Sequence, residues 1–354
     1  MQVYQKGTQY YITINFQEEQ HNVHSIVLEF IKKHKLAIIY IKAFIENTPI
    51  NNKDCDLALE IYKQEFNNPL IIKIEQISLG NNRICGICLF CIEKEFLSGI
   101  KHFQTKECQY ISYQYKNLYY LWGTQVFKNA SLMFEQCIYA LNELQFAPKD
   151  IIRTWFYLDN INENYANFNI ARKDFFEQNR IDYDEGANDL PPSTGIGCNS
   201  LFGNSVMQLS ALKGDMGAFK KKRIYNAKQS EANGDKYLFR PTFSRAMLIE
   251  SLDLSELHIS GTASVGKKGE TLFQNDGIGQ IETTLHYIKH LLENANMTPI
   301  DICEGTVFMK DKYLYKHFID ICQKMNFPHE VLIPVIADIC RQNLLFEIDG
   351  IAKK

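Results

Sequence analysis

The chain repeats itself, and this constrains its fold more than any other feature. Tyr120-Leu121-Trp122-Gly123-Thr124 and His258-Ile259-Ser260-Gly261-Thr262 each read as a short strand ending in Gly-Thr. Each leads through a polar loop into an amphipathic helix, 132–144 in the first case and 279–294 in the second. Ile281, Leu285, Ile288 and Leu292 recur there at helical spacing. Both helices run into a proline turn, Pro148-Lys149-Asp150 and Pro299-Ile300-Asp301, whose aspartates lie 151 residues apart. The register holds through the strand that follows. A second helix comes next (164–179 and 312–326), then further strands, the last at 344–351. Strand, helix, strand, helix, strand predicts an α+β fold of two units, each a mixed sheet with helices on one face. Residues 1–115 do not fit the repeat. They hold a helix (23–33) and strand-like runs (36–45 and 84–91), and are expected to extend the first unit. The expected division is 1–215 and 216–354, with most candidate site residues in the second part.

With 354 residues, 45% of them hydrophobic, the chain can bury two cores. Its 38 basic and 41 acidic residues leave a net charge of -3, which argues against a nucleic-acid partner. The basic run Lys220-Lys221-Lys222-Arg223 is expected to be a solvated loop. No stretch approaches the roughly 20 apolar residues of a membrane span, and 1–16 lacks the pattern of a signal peptide. A cytoplasmic protein without a membrane partner is expected. Ten cysteines in such a chain suit small buried side chains better than a disulfide framework. Cys85, Cys88 and Cys91 have a spacing resembling part of a metal site, but no fourth ligand is nearby. They read as a buried strand, and no metal or cofactor is expected.

Ser260-Gly261-Thr262, Gln280, the Thr298–Asp301 turn, Thr306–Asp311 and the ending Glu347-Ile348-Asp349-Gly350-Ile351-Ala352 resemble the Rid (YjgF-type) family. That family hosts several activities on one fold. Its deaminases carry an arginine soon after a proline that follows the last helix; here Pro328 leads into His329-Glu330-Val331-Leu332, so imine deamination is disfavoured. Several further segments, in order, resemble the chorismatase branch. They are Arg153–Asn162, Tyr165–Arg172, Pro192–Gly197, Tyr225–Gln229, Tyr237–Ala246, Ser260–Ser264 and Cys340–Glu347. Where chorismatases usually carry a histidine after Ser-Gly-Thr-Ala-Ser, this chain reads Val265-Gly266-Lys267-Lys268-Gly269-Glu270. The resemblance implies hydrolysis of the enolpyruvyl ether of chorismate to pyruvate and a dihydroxycyclohexadiene carboxylate or hydroxybenzoate. An imine or enamine hydrolase and a non-catalytic ligand-binding protein are the alternatives. Rid-like units usually trimerise, so a monomer or a homotrimer is expected.

Chorismate carries two carboxylates and a vinyl ether, so its site needs cations and an acid that protonates carbon. Arginine binds carboxylates through two parallel hydrogen bonds, and Arg240, Arg245 and Arg341 lie in the best-matching segments. Arg341 is expected within an apolar strand, where its charge needs a ligand or a buried acid. Glu347, six residues on and expected on the same strand face, is the candidate general acid. Tyr157, Tyr225 and Tyr237 are candidate donors to the substrate. Ser260, Gly261 and Thr262 end a strand that could face it. Ala263 and Cys340 are candidates for the ring pocket.

Overall fold

The computed structural model describes residues 1–15, 23–46, 53–66, 68–80, 84–181, 190–200, 202–215, 217–229 and 242–354, with 53–58 described by their backbone alone. Three sheets follow one another along the chain. The first holds β1 (Gln2–Lys6), β2 (Gln9–Asn15), β3 (Leu36–Ile45), β4 (Leu70–Glu75) and β5 (Ile84–Glu93), in the order β1-β2-β5-β3-β4. The second holds β6 (Leu97–Gln104), β7 (Cys108–Tyr115), β8 (Leu118–Phe127), β9 (Ile151–Asp159), β10 (Ser193–Cys198) and β11 (Ser205–Gly214), in the order β6-β7-β8-β11-β9-β10. The third holds β12 (Phe219–Ile224), β13 (Ala246–Ser251), β14 (Ser255–Ala263), β15 (Ile302–Met309), β16 (Leu332–Ile336) and β17 (Phe346–Lys353), in the order β12-β13-β14-β17-β15-β16. Two helices cross each sheet: α1 (Val23–Lys33) and α2 (Lys53–Glu65), α3 (Ala130–Glu143) and α4 (Ile161–Gln178), α5 (Gly277–Asn294) and α6 (Leu314–Met325). The second of each pair joins parallel neighbours, β3 to β4, β9 to β10 and β15 to β16.

The second and third sheets have the same strand order, as the 151-residue register predicts. The Pro-x-Asp turn has the same purpose in both. Asp150 Oδ2 accepts the Ala147 amide at 2.8 Å, and Asp301 Oδ2 accepts the Thr298 amide at 2.8 Å. Each carboxylate closes a short 3-10 turn that aims the chain into the strand. The N-terminal region is not an extension of the first unit. It is a third copy of the topology, short of one edge strand. Its sequence hides this because β2 does not end in Gly-Thr and no proline turn precedes β3. The basic run also differs from expectation: it is β12, the edge strand of its sheet, with Lys220 and Lys222 exposed and Arg223 buried. Lysines on an edge strand discourage pairing with another chain. Cys85, Cys88 and Cys91 lie on β5. Cys88 faces the core shared by the sheets and Cys91 the core under α1, so the three do not converge.

Each helix pair covers the outer face of its own sheet. Between α3, α4 and the second sheet, for example, Phe134 stacks on Phe175 with ring centroids 4.5 Å apart. The three inner faces meet in one central core. With the three copies numbered in chain order, Tyr40 of the first unit packs on Trp122 of the second at 4.6 Å, and Phe44 meets Tyr157 edge-on at 6.0 Å. The packing is cyclic: β4 lies on β7 and β8, β10 on β14, and β16 on β2 and β5. Three like junctions result, all within one chain.

The centre is not wholly apolar. Lys42 of β3 pairs with Glu304 of β15, their side chains 3% and 4% exposed, and the Tyr40 hydroxyl donates to the same carboxylate. Removing one partner of a buried pair strands the other charge, which typically costs about 3–5 kcal/mol. Lys42→Met is therefore expected to lose that much in urea unfolding, and Lys42→Met combined with Glu304→Gln to recover most of it. A single variant as stable as the wild type would show that the pair does not hold the first and third units together.

Candidate active site

Glu347 sits near the start of β17, opposite Ala263 of β14 and Phe308 of β15, and is 5% exposed. The room for its carboxyl comes from its neighbour. The β14–β17 register shifts between Ile259 and Thr262, a bulge that brings Gly261 alongside the glutamate. A Cβ at 261 would meet Glu347 Oε1 and lie 3.3 Å from Thr194 Cγ2, so any other residue there would displace the carboxyl. Burial, and then the negative charge of Asp349, push the Glu347 carboxyl up to about 8; Arg245 and Arg153 pull less strongly the other way. The side chain is thus an acid that still carries its proton at neutral pH.

The second unit supplies the facing wall through β9, β10 and α4. Asp349, two residues beyond Glu347 and on the same strand face, accepts the Thr194 hydroxyl at 2.8 Å and the Thr306 amide at 3.1 Å. Arg153 of β9 is fully buried, bonds to the Thr194 hydroxyl and lies 3.5 Å from Asp349. Burial brings its guanidinium down to about 10, so it remains charged. Arg172 of α4 donates to Ser193 at 3.1 Å and to Asn169 at 2.6 Å. Its guanidinium and that of Arg245 both lie over the Phe243 ring, at 5.6 and 5.3 Å. Tyr165 lies against Gly195, and its hydroxyl, pushed up to about 12 by burial and by Cys340, also feels Arg172 and Glu347. The Cys340 thiol is likewise raised to about 12, by burial first and Glu347 second.

The junction of the second and third units thus gathers Glu347, Arg245, Gly261 and Cys340 from among the candidates. Ser260, Thr262 and Ala263 are buried beside them on β14. Tyr157 is fully buried in the central core, where its hydroxyl feels Asp349 and Arg153. Tyr225 is 39% exposed at the end of β12, its ring under Arg223 and its carbonyl bonded to Asn294 of α5. Arg240 and Tyr237 lie outside the described residues. Arg341 needs a correction. It is not on the strand of Glu347, which begins at Phe346, but half-buried in the preceding turn, where it donates to the Gly269 carbonyl. Residues 341–345 contain no glycine or proline to reveal that turn. Arg153, Thr194, Arg172 and Asp349 are missing from the sequence-based candidates. Asp349 could have been found, because it shares the face of Glu347 at an offset of two.

A carboxyl whose folded value is about 8 against 4.5 unfolded binds its proton more tightly in the folded protein, so stability falls as pH rises between those values. Glu347→Gln is expected to match the wild type below the unfolded value. It should become the more stable protein as pH approaches the folded one, by up to roughly 1.4 kcal/mol per pH unit. Chemical denaturation across that range checks this; a constant difference would mean that Glu347 titrates normally.

No family model matches the chain. A crystal structure of a chorismatase superposes with a TM-score of 0.70 over 99% of both chains, at 15% identity. A 3-hydroxybenzoate synthase of Streptomyces hygroscopicus is 27% identical over 230 residues, which cover 58% of this chain and 64% of that protein. The single-unit Rid-family protein YyfA of Yersinia pestis aligns with 38% of the chain at a TM-score of 0.31. The chain is therefore chorismatase-like in fold from end to end and a sequence relative of a 3-hydroxybenzoate synthase.

Proposed function

We propose that the chain is a chorismatase, and that the junction of its second and third units is the active site. The observation that carries this is a buried, protonated Glu347 placed beside Arg245 and Arg153, next to a glycine that leaves room for its carboxyl. Ligand binding alone has no need of a proton donor. Glu347 transfers its proton to the methylene carbon of the enolpyruvyl group. The vinyl electron pair forms the new C–H bond, and the ether carbon becomes an oxocarbenium ion. Glu347 is left as a carboxylate beside Arg245 and Arg153, whose charges stabilise it. Water adds to the cationic carbon and returns a proton to Glu347. The hemiketal collapses by breaking its bond to the ring oxygen, giving pyruvate and the ring alcohol.

Arg245 is the substrate-carboxylate partner among the described arginines, with Arg240 a second candidate. Arg341 supports the 264–270 loop. Tyr157, Tyr225, Tyr237, Ser260 and Thr262 remain secondary candidates for substrate contact. Ala263 and Cys340 border the place where the ring would lie, and Cys340 stays a neutral thiol there. Loss of water from the ring diol yields a hydroxybenzoate, and the sequence relative favours the 3-hydroxy isomer.

The test is incubation with chorismate, with pyruvate followed through lactate dehydrogenase. Wild-type protein should release pyruvate. Glu347→Gln should lower turnover by about 10²–10⁴-fold, as loss of a general acid does, while equilibrium binding of chorismate persists. Arg245→Ala should instead weaken binding. No pyruvate from the wild type, or an unchanged rate for Glu347→Gln, would overturn the assignment.

A further inference from the structure

Asp349 plays no direct part in that chemistry, yet it is one of the most firmly held side chains in the junction. Oδ1 takes the Thr306 amide of β15 at 3.1 Å, and Oδ2 takes the Thr194 hydroxyl of β10 at 2.8 Å. Arg153 of β9 reaches both Thr194 and Asp349. The guanidinium is also tied down, by a 2.6 Å bond to the Thr154 carbonyl and by lying over the Trp155 ring at 4.2 Å. Burial raises the Asp349 carboxyl above its ordinary value, and three donors, two of them from another unit, oppose that by favouring the ionised form. Asp349 and Glu347 are alternate residues on one strand, so their side chains share a face about 7 Å apart along the chain.

The equivalent positions of the other junctions show that this is a special arrangement. Glu347 pairs with Phe308, as Val206 pairs with Tyr157 and Gly86 with Phe44. Asp349 pairs with Thr306, as Gln208 pairs with Trp155 and Cys88 with Lys42. Thr194 in turn corresponds to Ile333 and Ile72. Where the acid is missing, so are the second carboxylate and the hydroxyl that clamps it.

We propose, resting on the chorismatase reading of this site, that Asp349 is a positioning residue. Clamped across the junction by Arg153 and Thr194, its fixed negative charge adds to burial in keeping the proton on Glu347 between turnovers. The groups facing Glu347 are Asp349 on its own strand, Arg245 before β13, Arg153 on β9, Cys340 in the preceding turn and Tyr165 on α4. Those facing Asp349 are Arg153, Lys42, Glu304 and Tyr157. Of the charged groups around Glu347 among the described residues, Asp349 alone raises its proton affinity. The clamp also ties the acid to correct docking of the second unit on the third.

The test is Asp349→Asn, which keeps the shape and an acceptor for the Thr306 amide and removes the charge. The basic limb of its pH–kcat profile on chorismate should move to lower pH, with KM little changed. The NMR titration of the 13C-labelled glutamate carboxyl that disappears in Glu347→Gln should move down with it. A merely structural role would lower the amount of folded protein and leave both midpoints in place, and that result would overturn the proposal. If Asp349→Asn does not fold, Arg153→Gln with Asp349→Asn removes both charges. The titration should still move down, because Asp349 weighs more on Glu347 than Arg153 does. The NMR titration needs no substrate. A downward shift in a protein that releases no pyruvate would sink the chorismatase reading alone, and an unmoved titration in an active enzyme would sink this inference alone.

Discussion

Everything in this molecule depends on closing three sheet faces onto one another. Each sheet has helices on its outer face only, so its inner face is apolar and must be covered by another sheet. Three copies of the topology, joined in one chain, satisfy that need cyclically. Closure also takes the charged residues on those faces out of water, where each needs a partner of opposite sign or a neutral form. Lys42 with Glu304 and Arg153 with Asp349 follow the first course, and both pairs join different units. Glu347 follows the second course and keeps its proton.

A threefold arrangement offers three places to build a site, and the proposed active site occupies one of them. At the positions of Glu347 the other junctions hold Val206 and Gly86, and at those of Thr194 they hold Ile72 and Ile333. A Cβ at Gly86 would lie 2.5 Å from Ile333, so that junction is filled by packing instead of by a carboxyl. At Gly261, in the bulge of β14, the space is taken by the Glu347 carboxyl. Joining the copies in one chain allows such divergence, because each junction can be altered without altering the others.

Much of this was legible in the sequence. Matched Gly-Thr strand ends and Pro-x-Asp turns revealed two units, because in both copies the same carboxylate closes the same turn. The first copy has neither signal, and its β-rich runs carry no register of their own, so it looked like an extension. Motif order and residue chemistry single out Glu347, Arg245, Gly261 and Cys340, which the fold brings to one junction. Arg341 was misplaced because a turn written in Arg-Gln-Asn-Leu-Leu has no glycine or proline to mark it. Arg153 and Asp349 carry no local signature, because a buried charge at a cross-unit contact leaves none; only the contact between them across the junction pairs them.

The account makes proton transfer to carbon the demanding step, with a single buried carboxyl as the donor. Turnover of chorismate in heavy water tests this most directly, since the exchangeable Glu347 proton becomes a deuteron that must be delivered in the slow step. The account predicts that kcat falls in deuterium oxide, measured on the plateau of the pH profile, and that the pyruvate formed carries a solvent deuteron in its methyl group. Equal kcat values in the two solvents would contradict it, because carbon protonation by Glu347 could then not limit the reaction.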